Sequence, residues 1–173
     1  MKTLRLIRGI PTLLIVSLLA TPAFAGRDDV LGCWLAENGG SVLHVKKSGD
    51  SIVGEIAALN EPTYAKGEVE GKDGEIRRDY RNPDPAKRDE TVLGMNILLD
   101  FAWDDGWSGK IYDPEGGSIY TANLSFEDGK LHLRGYIGVS WLGRSVYYVD
   151  PKTDLALRDE LFRISKADGP CAK

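Results

Sequence analysis

Hydrophobic and polar residues alternate along most of the chain after residue 30, in short runs separated by Gly, Asp and Asn. A period of two is typical of antiparallel strands, and the separating residues are those of tight turns. Asn38-Gly39 and Gly49-Asp50 therefore predict the two turns of a three-strand meander. In the registers that these turns set, apolar residues share one face and polar residues the other: Trp34, Leu43 and Ile56 against Cys33, His44 and Glu55.

A stronger hairpin is predicted around Asp128-Gly129. Along one face it pairs residues that are apolar or small: Phe126 with Leu131, Leu124 with Leu133, Ala122 with Gly135, and Tyr120 with Ile137. Along the other face it pairs polar residues: Ser125 with His132, Asn123 with Arg134, and Thr121 with Tyr136. A shift of one residue would mix the two faces, so the pattern determines the register.

The pattern predicts about eight strands in all. Beyond the meander and this hairpin, whose first strand is residues 118–126, strands are predicted at three places: residues 107–112, 139–149 and 160–165. Residues 91–101 form either a strand or a short helix that plugs one barrel end, and residues 150–159 form a helical turn before the last strand. Closure removes exposed sheet edges, so we expect an all-β, closed or nearly closed antiparallel barrel with short helical segments.

Residues 60–90 break the alternation, because they are charged, rich in turn residues and include Asn82-Pro83-Asp84-Pro85. Irregular segments of this length are usually functional loops or mobile ones. We expect Asn82 and Asp84 to close a lid over the barrel mouth.

The N-terminus has the parts of an export signal. A basic head is followed by the mostly apolar residues 10–20 and by Ala23-Phe24-Ala25, whose small residues a signal peptidase reads. The apolar run is shorter than the ~20 residues of a membrane span, and no second run approaches that length. We predict a signal peptide over residues 1–25 cleaved between Ala25 and Gly26, a single domain over residues 26–173, and a periplasmic or secreted location.

Charge and cysteine content narrow the class of protein further. The formal net charge of −4 argues against a nucleic-acid binder and against a polybasic protein of membrane surfaces. Two cysteines in an exported chain predict one disulfide, between Cys33 and Cys171. As an alternative, residues 30–33 look like a lipoprotein processing box, although residues 27–29 separate it from the apolar run.

Motifs for catalysis, phosphate binding and metal binding are absent from the sequence. His44 and His132 lie on separate hairpins, without a cluster of cysteines or acids at metal-ligand spacing. We therefore expect no cofactor and no metal site. His44 is predicted to form a cross-strand polar pair with Glu55, and His132, beside Ser125, to be solvated.

The chain resembles the family of exported bacterial proteins known as domain of unknown function 2147. Three blocks carry the likeness: Gly32-Cys33-Trp34, residues 82–98 with Leu93-Gly94 and Ile97-Leu98, and residues 107–144 with Gly109-Lys110-Ile111-Tyr112-Asp113-Pro114, Leu133-Arg134-Gly135-Tyr136-Ile137-Gly138 and Leu142-Gly143-Arg144. The resemblance implies a small barrel like the lipocalins and other calycins. In calycins a Trp near the first strand packs beneath a late arginine, which implies that Arg144 or Arg163 covers Trp34. The family has no established activity.

Our leading hypothesis is a barrel that binds a small apolar or amphipathic molecule, since barrels of about eight strands have room for one ligand. The candidate ligand-binding residues lie in or near the most specific blocks: Asn82, Asp84, Tyr112, Asp113, Tyr120, Tyr136, Trp141 and Arg144. The first alternative is a non-catalytic interaction module of the cell envelope, with a fully packed core and a protein partner. The second is an enzyme in which Asp84, Asp113 and Arg144 converge.

Overall fold

The computed structural model describes residues 26–69, 72–138 and 143–173 of the chain. Eight antiparallel strands form a closed barrel in which each strand pairs with its sequence neighbours and β8 pairs with β1. This architecture confirms the predicted barrel. The strands are β1 Gly32–Ala36, β2 Ser41–Ser48, β3 Ser51–Leu59, β4 Asn96–Trp103, β5 Trp107–Asp113, β6 Ser118–Glu127, β7 Lys130–Tyr136 and β8 Arg144–Val149.

The predicted strand registers are confirmed. β1, β2 and β3 place Cys33 opposite His44, Trp34 opposite Leu43, and Leu43 opposite Ile56. In the β6–β7 hairpin the pairs run from Glu127 with Lys130 to Thr121 with Tyr136. The further pair predicted between Tyr120 and Ile137 does not form, because β7 ends at Tyr136.

The region predicted as a strand or a helix is a strand, and the predicted strand before the C-terminal helix is also present. Residues 91–101 supply β4 rather than a plugging helix. The strand predicted over residues 139–149 is present as β8 from Arg144 onward, and residues 139–142 lie outside the described part of the chain.

The strand predicted at residues 160–165 is wrong, because these residues belong to the helix α1, Leu155–Ser165. The predicted helical turn is present as a 3-10 helix, Pro151–Asp154, and Asp154 then caps α1 by accepting a hydrogen bond from the Leu157 amide. The buried residues of α1 are spaced as on one helical face: Leu161, Phe162 and Ser165. None of the helices in the described ranges is long and apolar enough to cross a membrane.

Helix α1 packs against the outside of the barrel, where the predicted disulfide between Cys33 and Cys171 is present. The two cysteines are 138 residues apart in sequence, and their Cα atoms lie 5.5 Å apart. Together with Cys171, a second apolar cluster covers this face: Leu35, Val42, Ala58, Leu161 and Phe162. The tail is thus tied to the first strand both covalently and by apolar burial.

Two glycines of the barrel wall let large side chains occupy the interior. A Cβ atom at Gly54 would lie 2.6 Å from the Leu98 side chain, and one at Gly109 would lie 2.6 Å from Cδ2 of Phe101. Leu98 and Phe101 are fully buried. The glycines are therefore required by close packing of the core.

Candidate functional site

One end of the barrel is plugged by the segment before β1. Val30 is buried, and its carbonyl accepts a hydrogen bond of 2.9 Å from the Trp34 indole. The Trp107 indole donates to the carbonyl of Arg27 at 2.8 Å, and the Arg27 guanidinium lies 5.0 Å from the Trp107 ring centre. These contacts leave the opposite end as the place for a site.

Neither of the two arginines that the resemblance offered as a cover for Trp34 lies beside it. Arg163 lies on α1, is 71% exposed and pairs with Glu160, and Arg144 is an exposed residue paired with Gly135 on β7. The ring that contacts Trp34 belongs to Phe126, with ring centres 5.7 Å apart. The expectation of an arginine from Arg144 or Arg163 is therefore wrong.

A cavity of about 550 Å³ lies at the other end. Its inner wall is apolar and comes from five strands: Ala36, Ile56, Leu59, Ile97, Ile111 and Val146. The packed-core alternative expected a barrel that is filled from end to end, and the cavity shows that one end is not filled. Cavities of 300–1,000 Å³ are typical of small-molecule sites.

The outer wall of the cavity is the long segment between β3 and β4. Two isolated bridges, Thr63 with Ile76 and Arg78 with Thr91, fold this segment back on itself. It contributes mainly polar and aromatic side chains to the cavity, with one apolar residue: Glu61, Tyr64, Arg77, Arg78, Tyr80 and Val92.

A buried carboxylate ties this wall to the barrel. Asp79 is fully buried and accepts hydrogen bonds of 2.6 Å from the Tyr112 hydroxyl and from the Asn82 side-chain amide. Burial, reinforced by the hydrogen bond to Asp79, raises the pKa of Tyr112 far above its ordinary value. Because Tyr112 belongs to β5, its hydroxyl anchors the outer wall to the sheet.

A second contact joins the wall to the turn after β5. Gly117 has φ +64°, and a Cβ atom there would lie 2.1 Å from the Arg81 carbonyl oxygen. The Arg81 guanidinium donates to the Glu115 carbonyl at 2.8 Å. The turn and the outer wall are therefore in backbone contact.

The two neighbouring arginines of the cavity differ in their partners. Arg77 pairs with Glu61 and Glu68. Arg78 donates to the Asp89 carbonyl, and within the described residues no carboxylate lies within 4.0 Å of its guanidinium. Arg78 is thus a cavity-lining arginine without a carboxylate partner among the described residues, although Asp113 and Glu115 line the same cavity.

Three buried tyrosines line the cavity, and their hydroxyl groups differ. Tyr64 donates to the Arg78 carbonyl at 2.9 Å, and Tyr112 donates to Asp79. Tyr148 is 5% exposed, its pKa is raised to about 12 by burial, and no group in the described part of the chain hydrogen-bonds its hydroxyl. The Tyr148 hydroxyl is therefore a protonated donor facing the cavity at neutral pH.

The eight predicted ligand-binding residues have different positions. Tyr112 and Asp113 line the cavity. Tyr120 lies opposite Ile111 in the sheet, and Ile111 lines the cavity, while Tyr136 lies opposite Thr121. Asn82 lies in the Asp79 cluster, and Asp84 caps the 3-10 helix Pro85–Lys87. Arg144 is exposed at the start of β8, and Trp141 lies outside the described residues.

The triad required by the enzyme hypothesis is not assembled as a unit. Asp113 is on β5 and Arg144 on β8, with β6 and β7 between them. Three strand spacings amount to roughly 14 Å around the sheet. Asp84 is engaged with the Ala86 amide in the outer wall.

Sequence reasoning missed Tyr148 and Arg78. A signal for Tyr148 is the period of two in β8, where Val146 and Tyr148 both line the cavity while Tyr147 lies on the other face. No local signal marks Arg78, because its position depends on how the outer wall folds back.

The two histidines lie on the outer face of the barrel. The predicted pair is confirmed, since His44 Nδ1 lies 3.1 Å from Glu55, whose other oxygen accepts from Lys46. Burial raises the pKa of Glu55, but the hydrogen bonds from Lys46 and His44 lower it by more. His132 is not solvated as predicted, because its side chain is 17% exposed and stacks on Tyr147.

Comparison with known proteins supports the family and the fold. A family model described as "Uncharacterized protein conserved in bacteria (DUF2147)" matches residues 32–149. Among solved structures, the protein HP1028 of Helicobacter pylori, described as belonging to the lipocalin family, is similar with 15% identity and a TM-score of 0.58. The match covers 81% of this chain and 90% of that chain, and it shows the fold. No curated protein matches significantly.

Proposed function

The chain belongs to the bacterial family DUF2147, and from its lipocalin-like barrel we propose that it binds one small amphipathic molecule outside the cytoplasm. The observation that carries the proposal is the Tyr148 hydroxyl, which faces an apolar-walled cavity of about 550 Å³ with no partner in the described chain. No side-chain N or O atom of the described residues is both fully buried and without a hydrogen-bond partner, so the Tyr148 hydroxyl is accessible from the cavity and free to donate to a ligand acceptor, in a bond worth about 1 kcal/mol.

The lining supports a ligand with an apolar body and one anionic group. The apolar residues of the inner wall accommodate the body, while Arg78 offers a positive charge without a carboxylate partner in the described ranges. The charge of Arg77 is already balanced, because Arg77 forms ion pairs with Glu61 and Glu68. A charge-assisted hydrogen bond to Arg78 and a hydrogen bond from Tyr148 then fix the ligand's orientation.

Two observations support an extracytoplasmic location. The first 25 residues have the composition of a cleaved signal, and the Cys33–Cys171 disulfide is of the kind that persists in oxidising compartments. A barrel that carries its ligand in the periplasm or outside the cell satisfies both.

Native mass spectrometry of protein purified gently from its own periplasm tests the proposal. We expect a reproducible excess mass that is lost on denaturation, over a polypeptide beginning at Gly26 and lacking two hydrogens. The same protein, stripped of ligand, should bind anilinonaphthalene sulfonate, an apolar ring system with one anionic group.

Two matched variants locate the binding. Val146→Trp places a large ring at the cavity wall, whereas Ile119→Trp places the same ring at an exposed position, 53% accessible, that does not line the cavity. We expect only Val146→Trp to abolish dye binding. Equal dye binding by both variants, together with no excess mass in the native protein, would end the proposal.

A further inference from the structure

Outside the cavity, one row of side chains crosses the first three strands. The registers place Cys33 directly opposite His44, and His44 directly opposite Glu55. Cys171 reaches this row from the C-terminal tail. One ring nitrogen of His44 and the two cysteine sulfurs all lie within 4.8 Å of one another.

Two cysteines and a histidine are the ligand types of a zinc site, but here the two sulfurs are joined in a disulfide. Zn²⁺ binds thiolate at about 2.3 Å and imidazole nitrogen at about 2.0 Å, so tetrahedral ligand atoms lie roughly 3.5–3.8 Å apart. The three atoms here are within a short movement of that spacing. A metal-bound imidazole normally uses its second nitrogen to contact a carboxylate, and His44 Nδ1 already lies 3.1 Å from Glu55 Oε1.

We propose that reduction of the Cys33–Cys171 disulfide turns this row into a binding site for a Zn²⁺-like divalent cation. The reductant is a dithiol, such as that of a thiol–disulfide oxidoreductase. Two electrons and two protons pass to the two cysteines as the dithiol becomes a disulfide. Zn²⁺ then displaces two protons from the thiols and binds both sulfurs and His44, with water completing its shell.

The surroundings permit both steps. The disulfide borders a cleft of about 350 Å³, lined also by Asp29, Asp150 and Arg158; Cys33 is partly exposed there whereas Cys171 is buried, so the proposed dithiol attacks from the Cys33 side. After reduction the tail keeps noncovalent attachments, because Cys171 packs in the cluster of Leu161 and Phe162. The two thiols therefore remain beside His44 rather than separating.

The test measures Zn²⁺ affinity of the folded protein by competition with a colorimetric chelator. The protein is compared oxidised and after reduction with a phosphine, and circular dichroism checks folding in each state. We expect one Zn²⁺ per reduced chain, protection of both thiols from alkylation, and at least tenfold weaker binding by the oxidised chain. Cd²⁺ should give the ultraviolet absorption of a metal–thiolate bond.

Histidine variants separate this site from any pair of free thiols. His44→Ala should weaken Zn²⁺ binding by at least tenfold, and Glu55→Gln by about tenfold, in the range for residues that orient a ligand. His132→Ala is the matched control, since the two histidine side chains are 18% and 17% exposed. Equal affinity in the oxidised and reduced states, or equal affinity of His44→Ala and the parent, would overturn the proposal. These readouts are independent of ligand binding in the barrel.

Discussion

Replacing Tyr148 by phenylalanine removes one hydroxyl and leaves the packing of the ring unchanged. In the ligand-free protein this hydroxyl has no partner in the described chain and is accessible from the cavity, so its loss breaks no hydrogen bond within the described chain. We expect the free energy of unfolding to change by less than about 0.5 kcal/mol. With ligand bound, the variant lacks one hydrogen bond of about 1 kcal/mol, which lowers affinity roughly fivefold.

The assay combines urea unfolding of the free protein with fluorescence titration of anilinonaphthalene sulfonate. Tyr147→Phe is the control, because the neighbouring ring stacks on His132 outside the cavity and is 43% exposed. Unchanged stability together with weaker dye binding in Tyr148→Phe is the signature of a recognition group. A variant that loses stability and keeps its affinity would refute the reasoning, since the hydroxyl would then have a structural partner.

Three further predictions concern stability, each measured by urea unfolding. Gly117→Ala should lower the free energy of unfolding by more than 2 kcal/mol, because the added Cβ atom would lie 2.1 Å from the Arg81 carbonyl oxygen. Gly129→Ala is the control: Gly129 also has a positive φ but has open space around it, so this substitution should lower stability by only about 1 kcal/mol. Equal losses in the two variants would contradict the contact. Cys33→Ser should lower stability by about 4–5 kcal/mol by releasing a long loop, and a loss below 1 kcal/mol would contradict this. The pKa of Glu55 in the folded protein is lowered from 4.5, so the stability that Glu55 contributes is present above that value and is lost as pH falls through the folded pKa. Glu55→Gln should therefore make the free energy of unfolding fall less steeply with decreasing pH in the acid range. An unchanged pH dependence would contradict this role.

Turn chemistry explains why so much of the barrel is predictable from sequence. Asn38-Gly39 and Asp128-Gly129 determine where two hairpins reverse, and alternation then assigns each neighbouring residue to a face. Residues 160–165 were predicted wrongly because their short apolar run fits a strand or a helix. The helix α1 is favoured by its cap at Asp154 and by the apolar outer face of β2 and β3, against which it packs. The local sequence pattern does not show that face.

The site was only partly predictable, because some of its residues are placed by local sequence and others by tertiary contacts. Tyr112 and Asp113 end a strand beside a recognisable turn, so their place at the rim follows from local sequence. Arg78 reaches the cavity only because the segment between β3 and β4 folds back through isolated bridges and a buried carboxylate. Such tertiary placement leaves no periodic trace in the sequence.

The outer wall also determines which tyrosine hydroxyls of the cavity are already engaged within the protein. Tyr64 and Tyr112 line the cavity, but their hydroxyls hold the wall, through the Arg78 carbonyl and through Asp79 respectively. Tyr112→Phe leaves the buried Asp79 with one donor fewer, so it should lower stability by about 1–3 kcal/mol in urea unfolding. Since that hydroxyl is already engaged, the affinity for anilinonaphthalene sulfonate should change far less than in Tyr148→Phe. Equal losses of affinity in the two variants would mean that the wall, rather than one hydroxyl, determines binding.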